Sequence, residues 1–331
     1  MRIGMHVDDL LVRGPMDATE EFYAALRDRF EIQTPTYLTP ENPLEFLGIR
    51  ITMTSEGEYY LDCEVAATDL LDKAGLGMVR VLKCPMPTTV EIASDPALLE
   101  ADAATAYRSM VGGLNYLVCA VRFDLAHTAS RLGQFSANPT VGAQTAMKRV
   151  LAYVAGTKSF KIGGPRKSGP DSYDIYSDSD HAGDKVLGTR SQSGMIITMN
   201  GVPVHWRSAK QPKMSVSVAA AEIHALSDAV QHARLLMWRC EELGLQTQKP
   251  LRIKVDNKQA ESFAKATCMV SRLRGIFDLR DKWVQELRDA KQVQVTYVNG
   301  NANLADLFTK CLASGPFNRA VQAVQTGMRF S

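Results

Sequence analysis

Apolar residues recur at helical spacing through the middle of the chain. Between Asp102 and Gly156 they stand three and four positions apart, which is the spacing of one buried face of an amphipathic helix. The run NPT at 138–140 interrupts the pattern and separates the last two helices. Glycine, proline and basic residues then become frequent. The pattern therefore predicts a helical region over residues 101–157 and a linker over residues 158–172.

Strand-like alternation returns after the linker and is followed by further helices. Three segments between residues 173 and 208 have strand patterns, and the dipeptide Asn200-Gly201 suits the type I′ turn of a hairpin. A long amphipathic helix comes next, over residues 218–243, and then a strand, two helices, a strand and a final helix. The order β-β-β-α-β-α-α-β-α predicts an α/β domain over residues 173–331.

The first hundred residues mix strands with one helix. A hairpin over Arg2 to Val12, a helix from near Asp17, and strands over Glu45 to Met53 and Glu58 to Leu61 follow from alternation and spacing. Residues 1–100 are therefore predicted to form an α+β unit.

The length of 331 residues is enough for about two domains with cores of their own. No apolar run reaches the roughly 18 residues that a membrane span requires, and the first twelve residues are polar where a signal peptide would be apolar. We therefore expect a protein that is not secreted and that has no membrane partner. The six cysteines are never closer than 21 positions, which excludes a CxxC metal motif and predicts free thiols.

Net charge is unevenly distributed along the chain. Counting Lys and Arg against Asp and Glu gives −10 for residues 1–100, +7 for residues 101–170 and +5 for residues 171–331. A basic helical region can follow a polyanion such as nucleic acid, and it can equally be a solvated helix surface. Charge alone leaves both interpretations open.

Four acidic residues stand at positions where sheet proteins gather their chemistry. Asp178 ends the first predicted strand of the α/β domain, Glu222 opens the long helix, Asp256 ends a later strand, and Asp306 lies at the start of the final helix. If they converge, they form an oxygen-rich site suited to Mg²⁺ or Mn²⁺. Taken singly, each of the last three can be an ordinary cap or first-turn acid of a helix. Spacing also leaves two alternatives to the first of them, Asp180 and Asp184.

Short sequence blocks occur in the order of a known family. In the second half they are YSDSDHAGD (176–184), SQSG (191–194), HWRSAKQP (205–212), AAAEIHALSDA (219–229), VDNKQA (255–260) and NLADLFTK (303–310). These blocks resemble the RNase H domain of copia-type LTR retrotransposon Pol polyproteins. Five further blocks, earlier in the chain, resemble the end of the same family's reverse transcriptase. They are HVDDLL (6–11), EFLGIRI (45–51), YRSMVGGLNYL (107–117), SRLGQFSANPT (130–140) and MKRVLAYVAGT (147–157). The resemblance covers nearly the whole chain.

The resemblance implies a fold of α/β and α+β parts. It predicts a truncated reverse-transcriptase palm over residues 1–100, a thumb- or connection-like helical region over residues 101–157, and an RNase H-like domain over residues 173–331. That domain is expected to contain a mixed five-stranded sheet flanked by helices.

The resemblance also implies an activity and a site. Asp178, Glu222, Asp256 and Asp306 become the catalytic metal ligands, holding two Mg²⁺ ions for which Mn²⁺ can substitute. The implied reaction is endonucleolytic hydrolysis of the RNA strand of an RNA/DNA hybrid.

Asp8 and Asp9 are similar to the paired metal-binding aspartates of a polymerase palm, although they can also be a polar hairpin turn. Because the fingers and the first palm aspartate are missing from this sequence, we expect polymerase activity to be absent.

The remaining expectations concern contacts and partners. Basic residues of the helical region and polar residues near the acids are expected to contact nucleic acid: Arg108, Arg131, Lys148, Arg149, Ser191, Ser193, Asn257 and Gln259. The expected partners are an RNA/DNA hybrid and either the rest of a reverse transcriptase or a second Pol chain. The expected location is a cytoplasmic retroelement particle or the nucleus. Two alternatives stay open, a catalytically silent remnant and a nucleic-acid-binding protein that does not cleave.

Overall fold

The computed structural model describes most of the chain. The described residues are 1–75, 80–88, 90, 92, 95–165, 171–181, 183, 190–266 and 279–326. Asp184, one alternative to Asp178, lies outside them, and so does part of the predicted linker. The cysteines inside the described part are free thiols, as predicted: Cys63, Cys84, Cys119, Cys240 and Cys311.

Within these residues the chain forms eleven strands and nine α-helices. The strands are β1 (Arg2–His6), β2 (Asp9–Arg13), β3 (Leu44–Phe46), β4 (Ile49–Met53), β5 (Tyr59–Asp62), β6 (Lys161–Gly164), β7 (Tyr173–Asp180), β8 (Gln192–Met199), β9 (Val202–Lys210), β10 (Leu251–Val255) and β11 (Val293–Tyr297). The helices are α1 (Met16–Arg27), α2 (Glu64–Lys73), α3 (Ala101–Ala120), α4 (Ala126–Gly133), α5 (Val141–Gly156), α6 (Val218–Glu242), α7 (Lys258–Lys265), α8 (Leu279–Asp289) and α9 (Ser314–Thr326). None of these helices is both long and apolar enough to cross a membrane.

Strands β7 to β11 form a mixed five-stranded sheet with the order β11-β10-β7-β8-β9. β11, β10 and β7 run parallel, whereas β7, β8 and β9 are antiparallel neighbours. The turn between β8 and β9 places Asn200 and Gly201 at φ angles of 54° and 89°, as a type I′ turn requires. The arrangement confirms the predicted RNase H-like sheet.

Side chains alternate between the two faces of this sheet, and each face has its own core. On one face Ile175 and Ile197 pack with α6, α7 and α8. On the other face Tyr176 and Ile196 pack with α3, α4, α5 and α9. The predicted helical region and the five-stranded sheet therefore share a hydrophobic core, although the sequence pattern separates them by a linker.

Two predictions about the chain before β7 differ from the structure. Glu45 to Met53 is not one strand, because β3 and β4 form a hairpin across Leu47 and Gly48, whose φ angles are 53° and 69°. A leucine at positive φ is uncommon, so the sequence pattern does not indicate this turn. The predicted linker contains β6, which pairs with β5 and completes the antiparallel sheet β3-β4-β5-β6.

The predicted N-terminal hairpin is present as a separate two-stranded sheet of β1 and β2. Ile3, Met5 and Val7 occupy alternate positions along it and are 41%, 74% and 85% exposed. Three apolar side chains of this hairpin are thus exposed rather than packed in a core.

Candidate functional site

Asp178 and Asp256 are brought together by the register of two parallel strands. β10 pairs with β7 so that Val255 stands opposite Ser177. Asp178 is the next residue of β7, and Asp256 is the residue that follows β10. Both carboxylates therefore lie at the same edge of the sheet, where the parallel strands end.

Glu222 is carried to the same place by the start of α6. Ser217 caps this helix, because its hydroxyl oxygen accepts a hydrogen bond of 3.2 Å from the backbone N–H of Ala220. The helix packs on β7, and Glu222 is 5% exposed. One oxygen atom from each of Asp178, Glu222 and Asp256 lies within 4.8 Å of the other two. Three of the four predicted carboxylates thus converge on one point.

Asp306 lies beside these three carboxylates, next to a lysine. It belongs to a 3₁₀ helix, Leu304–Phe308, rather than to the α-helix that the sequence predicted from this point. Lys310 Nζ is 2.8 Å from Asp306 Oδ1 and 3.7 Å from Asp178 Oδ2. The fourth predicted carboxylate is therefore linked to the first through a cationic side chain.

The 3₁₀ helix approaches β8 closely because residue 194 is a glycine. Gly194 stands opposite Asp178 in the pairing of β7 with β8. A β-carbon at this position would come within 2.6 Å of Thr309 Cγ2, a distance that real β-carbons do not show. The glycine of the SQSG block thus allows the segment that carries Asp306 to lie against Asp178.

Burial, together with crowding of negative charge, raises the pKa values of Glu222, Asp256 and Asp306. Burial, and then the charges of Asp178 and Asp256, raise the pKa of Glu222 to about 9, although the nearby Ser179 opposes this shift. Burial and the charge of Asp178 raise the pKa of Asp306 to about 7, although Lys310 opposes this shift. Burial and Asp178 also raise the pKa of Asp256. The site therefore holds more negative charge than its own residues neutralise.

The donor set fits a hard divalent cation. Glu222 Oε2 is buried, and among the described residues no group donates a hydrogen bond to it. A buried carboxylate oxygen in this condition raises the free energy of the folded chain unless another ligand replaces the lost water. Carboxylate oxygens are the ligands that Mg²⁺ and Mn²⁺ prefer. The residues present therefore fit the predicted metal.

The predicted basic contacts differ in exposure. Arg108 and Lys148 are exposed on α3 and α5, whereas Arg131 and Arg149 are half-buried. Arg131 Nη1 lies 3.9 Å from the sulfur of Cys311, the residue after Lys310. Among the four predicted basic residues, Arg131 thus contacts the neighbour of Lys310, a residue that itself pairs with Asp306.

The predicted polar contacts are likewise of two kinds. Asn257 follows Asp256 and caps α7, where its side-chain oxygen accepts a hydrogen bond of 2.8 Å from the backbone N–H of Gln259. Gln259 itself is exposed. Ser191 and Ser193 are 0% and 3% exposed, so in this structure their side chains do not reach the surface.

Asp8 and Asp9 lie away from this group. Both are exposed at the turn of the β1-β2 hairpin. In the part of the chain that the structure describes, neither belongs to a group of acidic, histidine or cysteine side chains close enough to share a metal ion.

Sequence reasoning missed three residues of the NLADLFTK block. They are Asn303, Thr309 and Lys310. The Asn303 amide donates a hydrogen bond of 3.0 Å to the carbonyl of Ser177, and the Thr309 hydroxyl donates one to Asp178 Oδ2. The spacing of four residues between Asp306 and Lys310 is a visible signal of an ion pair. Their contacts with β7 depend on the sheet and carry no sequence signal.

The fold and the site together define an RNase H-like domain with a candidate metal centre. No family model matches the chain. The chain is 30% identical over 317 residues to the retrovirus-related Pol polyprotein from transposon RE2 of Arabidopsis thaliana, an alignment that covers 95% of this chain and 21% of that polyprotein. It is 29% identical over 252 residues to the Pol polyprotein from transposon TNT 1-94 of Nicotiana tabacum, covering 75% and 18%. The chain belongs to the copia-type retrotransposon Pol family, as the resemblance predicted.

The chain spans 21% and 18% of the length of these two polyproteins, so the activities of the whole polyproteins are not established for it. A shorter relative is secreted RxLR effector protein 161 of Plasmopara viticola. It is 40% identical over 127 residues, which cover 38% of this chain and 88% of that protein.

Among solved structures, the chain is similar to LC11-RNase H1 in complex with an RNA/DNA hybrid. The TM-score is 0.32 at 15% sequence identity, and the match covers 42% of this chain and 94% of that chain. The N-terminal RNase H domain of Rv2228c from Mycobacterium tuberculosis matches with a TM-score of 0.29 at 14% identity, covering 46% and 97%.

Proposed function

We propose that the chain hydrolyses the RNA strand of RNA/DNA hybrids by RNase H-type endonucleolytic cleavage that depends on Mg²⁺, with Mn²⁺ as a substitute. The observation that carries this proposal is the convergence of Asp178, Glu222 and Asp256 on one point, where a buried oxygen of Glu222 receives no hydrogen bond from the described residues. A divalent ion bound there supplies a water of lowered pKa and stabilises the negative charge that develops on the leaving oxygen.

The chain's own residues hold and orient the carboxylates. Thr309 donates a hydrogen bond to Asp178, and Lys310 pairs with both Asp178 and Asp306. The cap of α7 by Asn257 fixes the backbone that follows Asp256. These contacts keep three carboxylates pointing at one position before any substrate arrives, which is the arrangement that preorganised catalysis requires. The resemblance predicts two ions at the four carboxylates.

Residues around the site support binding of a hybrid. The helical region packs directly on the sheet, and its exposed residues Arg108 and Lys148 are suited to sequence-independent contacts with phosphates. Arg131 contacts Cys311, beside the acidic group, and Gln259 is exposed close after Asp256. The minor groove of a hybrid presents 2′-hydroxyl groups, which polar side chains of this kind distinguish from DNA.

We do not extend the proposal to polymerisation, because within the described residues Asp8 and Asp9 belong to no group of three or more acidic, histidine or cysteine side chains close enough to share a metal ion. The exposed apolar side chains of the hairpin support the predicted partner, which is the rest of a reverse transcriptase or a second Pol chain. Removal of RNA during retroelement replication would take place in a cytoplasmic particle or the nucleus.

The test is cleavage of a strand-labelled RNA/DNA hybrid by the wild-type chain and by Asp256→Asn, each with Mg²⁺ and with EDTA. We expect cutting of the RNA strand alone, by the wild type alone, and only with Mg²⁺. Asp174→Asn is the matched control, since Asp174 lies on β7 four residues before Asp178, about 13 Å along the strand. It pairs with Lys254 at 3.0 Å, and its replacement should leave cleavage unchanged.

A folded wild type that binds the hybrid without cutting it would contradict the proposal and leave a binding protein or a silent remnant. Equal cleavage by wild type and Asp256→Asn would show that the activity arises outside the acidic cluster.

A further inference from the structure

Lys310 is a cation already built into the acidic group. Its ammonium nitrogen lies 2.8 Å from Asp306 Oδ1 and 3.7 Å from Asp178 Oδ2, while its side chain remains 41% exposed. The Asp178 side chain is only 3% exposed. The lysine therefore reaches from the surface into a buried group of carboxylates and contacts two of the four.

The position of this ammonium bears on how many metal ions the site can hold. The three carboxylates that share one point are Asp178, Glu222 and Asp256, so a single ion can contact all of them. Asp306 is not in that group and is paired with Lys310 instead. A Mg²⁺ ion bound to Asp306 Oδ1 at about 2.1 Å would lie within about 5 Å of the ammonium nitrogen, where two cations repel strongly.

Charge balance shows what Lys310 contributes. When all are ionised, the four carboxylates and Lys310 carry a net charge of −3. One divalent ion changes this to −1 and a second would change it to +1, whereas without the lysine two ions would be needed to reach neutrality. The lysine thus supplies part of the neutralisation that a second ion would otherwise provide.

We propose that Lys310 takes the place of the second metal ion in the chain without substrate, so that the site binds one divalent ion, held by Asp178, Glu222 and Asp256. This inference rests on the proposed function only in that the same carboxylates bind the metal. Lys310 acts through Asp178 and Asp306, which makes it a positioning residue. An ion pair with a purely structural role would affect folding but would not affect the number of ions bound.

The experiment counts Mn²⁺ ions by calorimetric titration and by the loss of the electron paramagnetic resonance signal of free Mn²⁺. We expect one ion per chain for the wild type and for Lys310→Arg, and no tight ion for Asp256→Asn. Lys310→Met should bind a second ion at least about tenfold more tightly than the wild type does. Lys265→Met is the matched control, since Lys265 also pairs with an acid four residues away, Glu261, but on the exposed surface of α7.

Two ions of similar affinity in the wild type would overturn the proposal, and so would identical titrations of wild type and Lys310→Met. If Lys310→Met fails to fold, Lys310→Gln takes its place because it also removes the ammonium group, and a wild-type count of two contradicts the proposal in either case. A wild type that cleaves the hybrid and binds two ions overturns only the role of Lys310. A wild type that binds no Mn²⁺ overturns the proposed function as well.

Discussion

Two buried groups of charged side chains in this molecule differ in their charge balance. In the helical region, Arg122 and Asp124 are 1% and 3% exposed and form two hydrogen bonds of 2.9 and 2.8 Å. Tyr153 donates a further hydrogen bond to Asp124, and Arg122 donates to the carbonyl and the hydroxyl of Thr157. At the end of the sheet, four carboxylates are accompanied by one lysine, Lys310, which contacts Asp178 and Asp306.

The difference separates a structural group from a functional one. The network around Arg122 and Asp124 satisfies its own charges, so it needs no ligand and serves to hold helices together. The carboxylate cluster keeps an excess of negative charge, a buried oxygen without a donor in the described chain, and raised pKa values. Buried charge without compensation is maintained where a ligand completes it. The carboxylate cluster should therefore be needed for activity and not for folding. The network around Arg122 and Asp124 should be needed for folding and not for activity.

The largest expected effect comes from Glu222→Gln in the cluster. Loss of one metal ligand should lower the rate of hybrid cleavage by roughly a thousandfold, about 4 kcal/mol of activation free energy. Because the pKa of Glu222 is raised to about 9, its carboxyl is already neutral near pH 7 when no metal is bound, so replacing it with the neutral amide should leave the unfolding temperature in EDTA close to that of the wild type. Cleavage assays and thermal melts measured side by side test both parts. A variant that melts well below the wild type would mean that the cluster also supports folding.

For Asp124→Asn, in the network around Arg122, we expect a large loss of stability. This variant leaves the buried guanidinium of Arg122 without its counter-ion, which should lower the free energy of unfolding by about 3–5 kcal/mol. Urea denaturation measures the loss, with Asp174→Asn as a control for a partly exposed pair, expected to change stability by less than about 1 kcal/mol. A small effect of Asp124→Asn would show that the network is not the structural element that its balanced contacts indicate.

Gly194→Ala tests the close approach that joins Asp306 to Asp178. The added β-carbon would collide with Thr309 and Phe308, so we expect a loss of about 1–3 kcal/mol of stability and reduced cleavage. Gly112→Ala is the matched control, because a β-carbon at Gly112 on α3 meets nothing within 4 Å. That control should be neutral or slightly stabilising, since alanine is the better helix former. Equal effects of the two substitutions in urea denaturation would contradict this account of the SQSG glycine.

The smallest effect concerns a neutral pair, His205 and His232, which stack and hydrogen-bond at 3.0 Å. Burial, then His232, Arg207 and Arg239, lower the pKa of His205 from 6.5 to about 4. Between pH 6.5 and 4 this histidine is protonated in the unfolded chain but stays neutral in the folded chain. Protonation therefore favours the unfolded chain, and the stability that is present above pH 6.5 is lost as the pH falls towards 4. His205→Asn should cost less than about 1 kcal/mol at pH 7.5.

The measurement for this pair is urea denaturation of wild type and His205→Asn at several pH values between 4 and 7.5. The variant should lose less stability on acidification than the wild type. Other groups titrate in the same range, so the difference between the two proteins is the relevant quantity. Parallel pH profiles would show that the pair does not titrate as described.

Much of the fold follows from local pattern. The order of strands and helices after residue 173, the Asn200-Gly201 turn and the helices between Ala101 and Gly156 are all visible in the sequence, because each depends on periodicity or on turn chemistry within a few residues. The β3-β4 hairpin and β6 were not predicted. Leu47 at positive φ is held by its surroundings, and β6 exists only through pairing with β5, about a hundred residues earlier in the chain.

The features of the candidate site likewise divide into those that follow from local pattern and those that do not. Local pattern is enough to place Asp178 and Asp256 near the ends of strands and Glu222 early in a long helix, whereas it wrongly placed Asp306 in an α-helix. The convergence of three of them on one point depends on long-range pairing and packing, namely the register of β10 against β7 and the packing of α6. Only the tertiary structure decided that Asp306 is joined to Lys310 and that Ser191 and Ser193 are buried. The physical reason is that distance and burial between segments far apart in sequence come from chain pairing and packing, which no local pattern encodes.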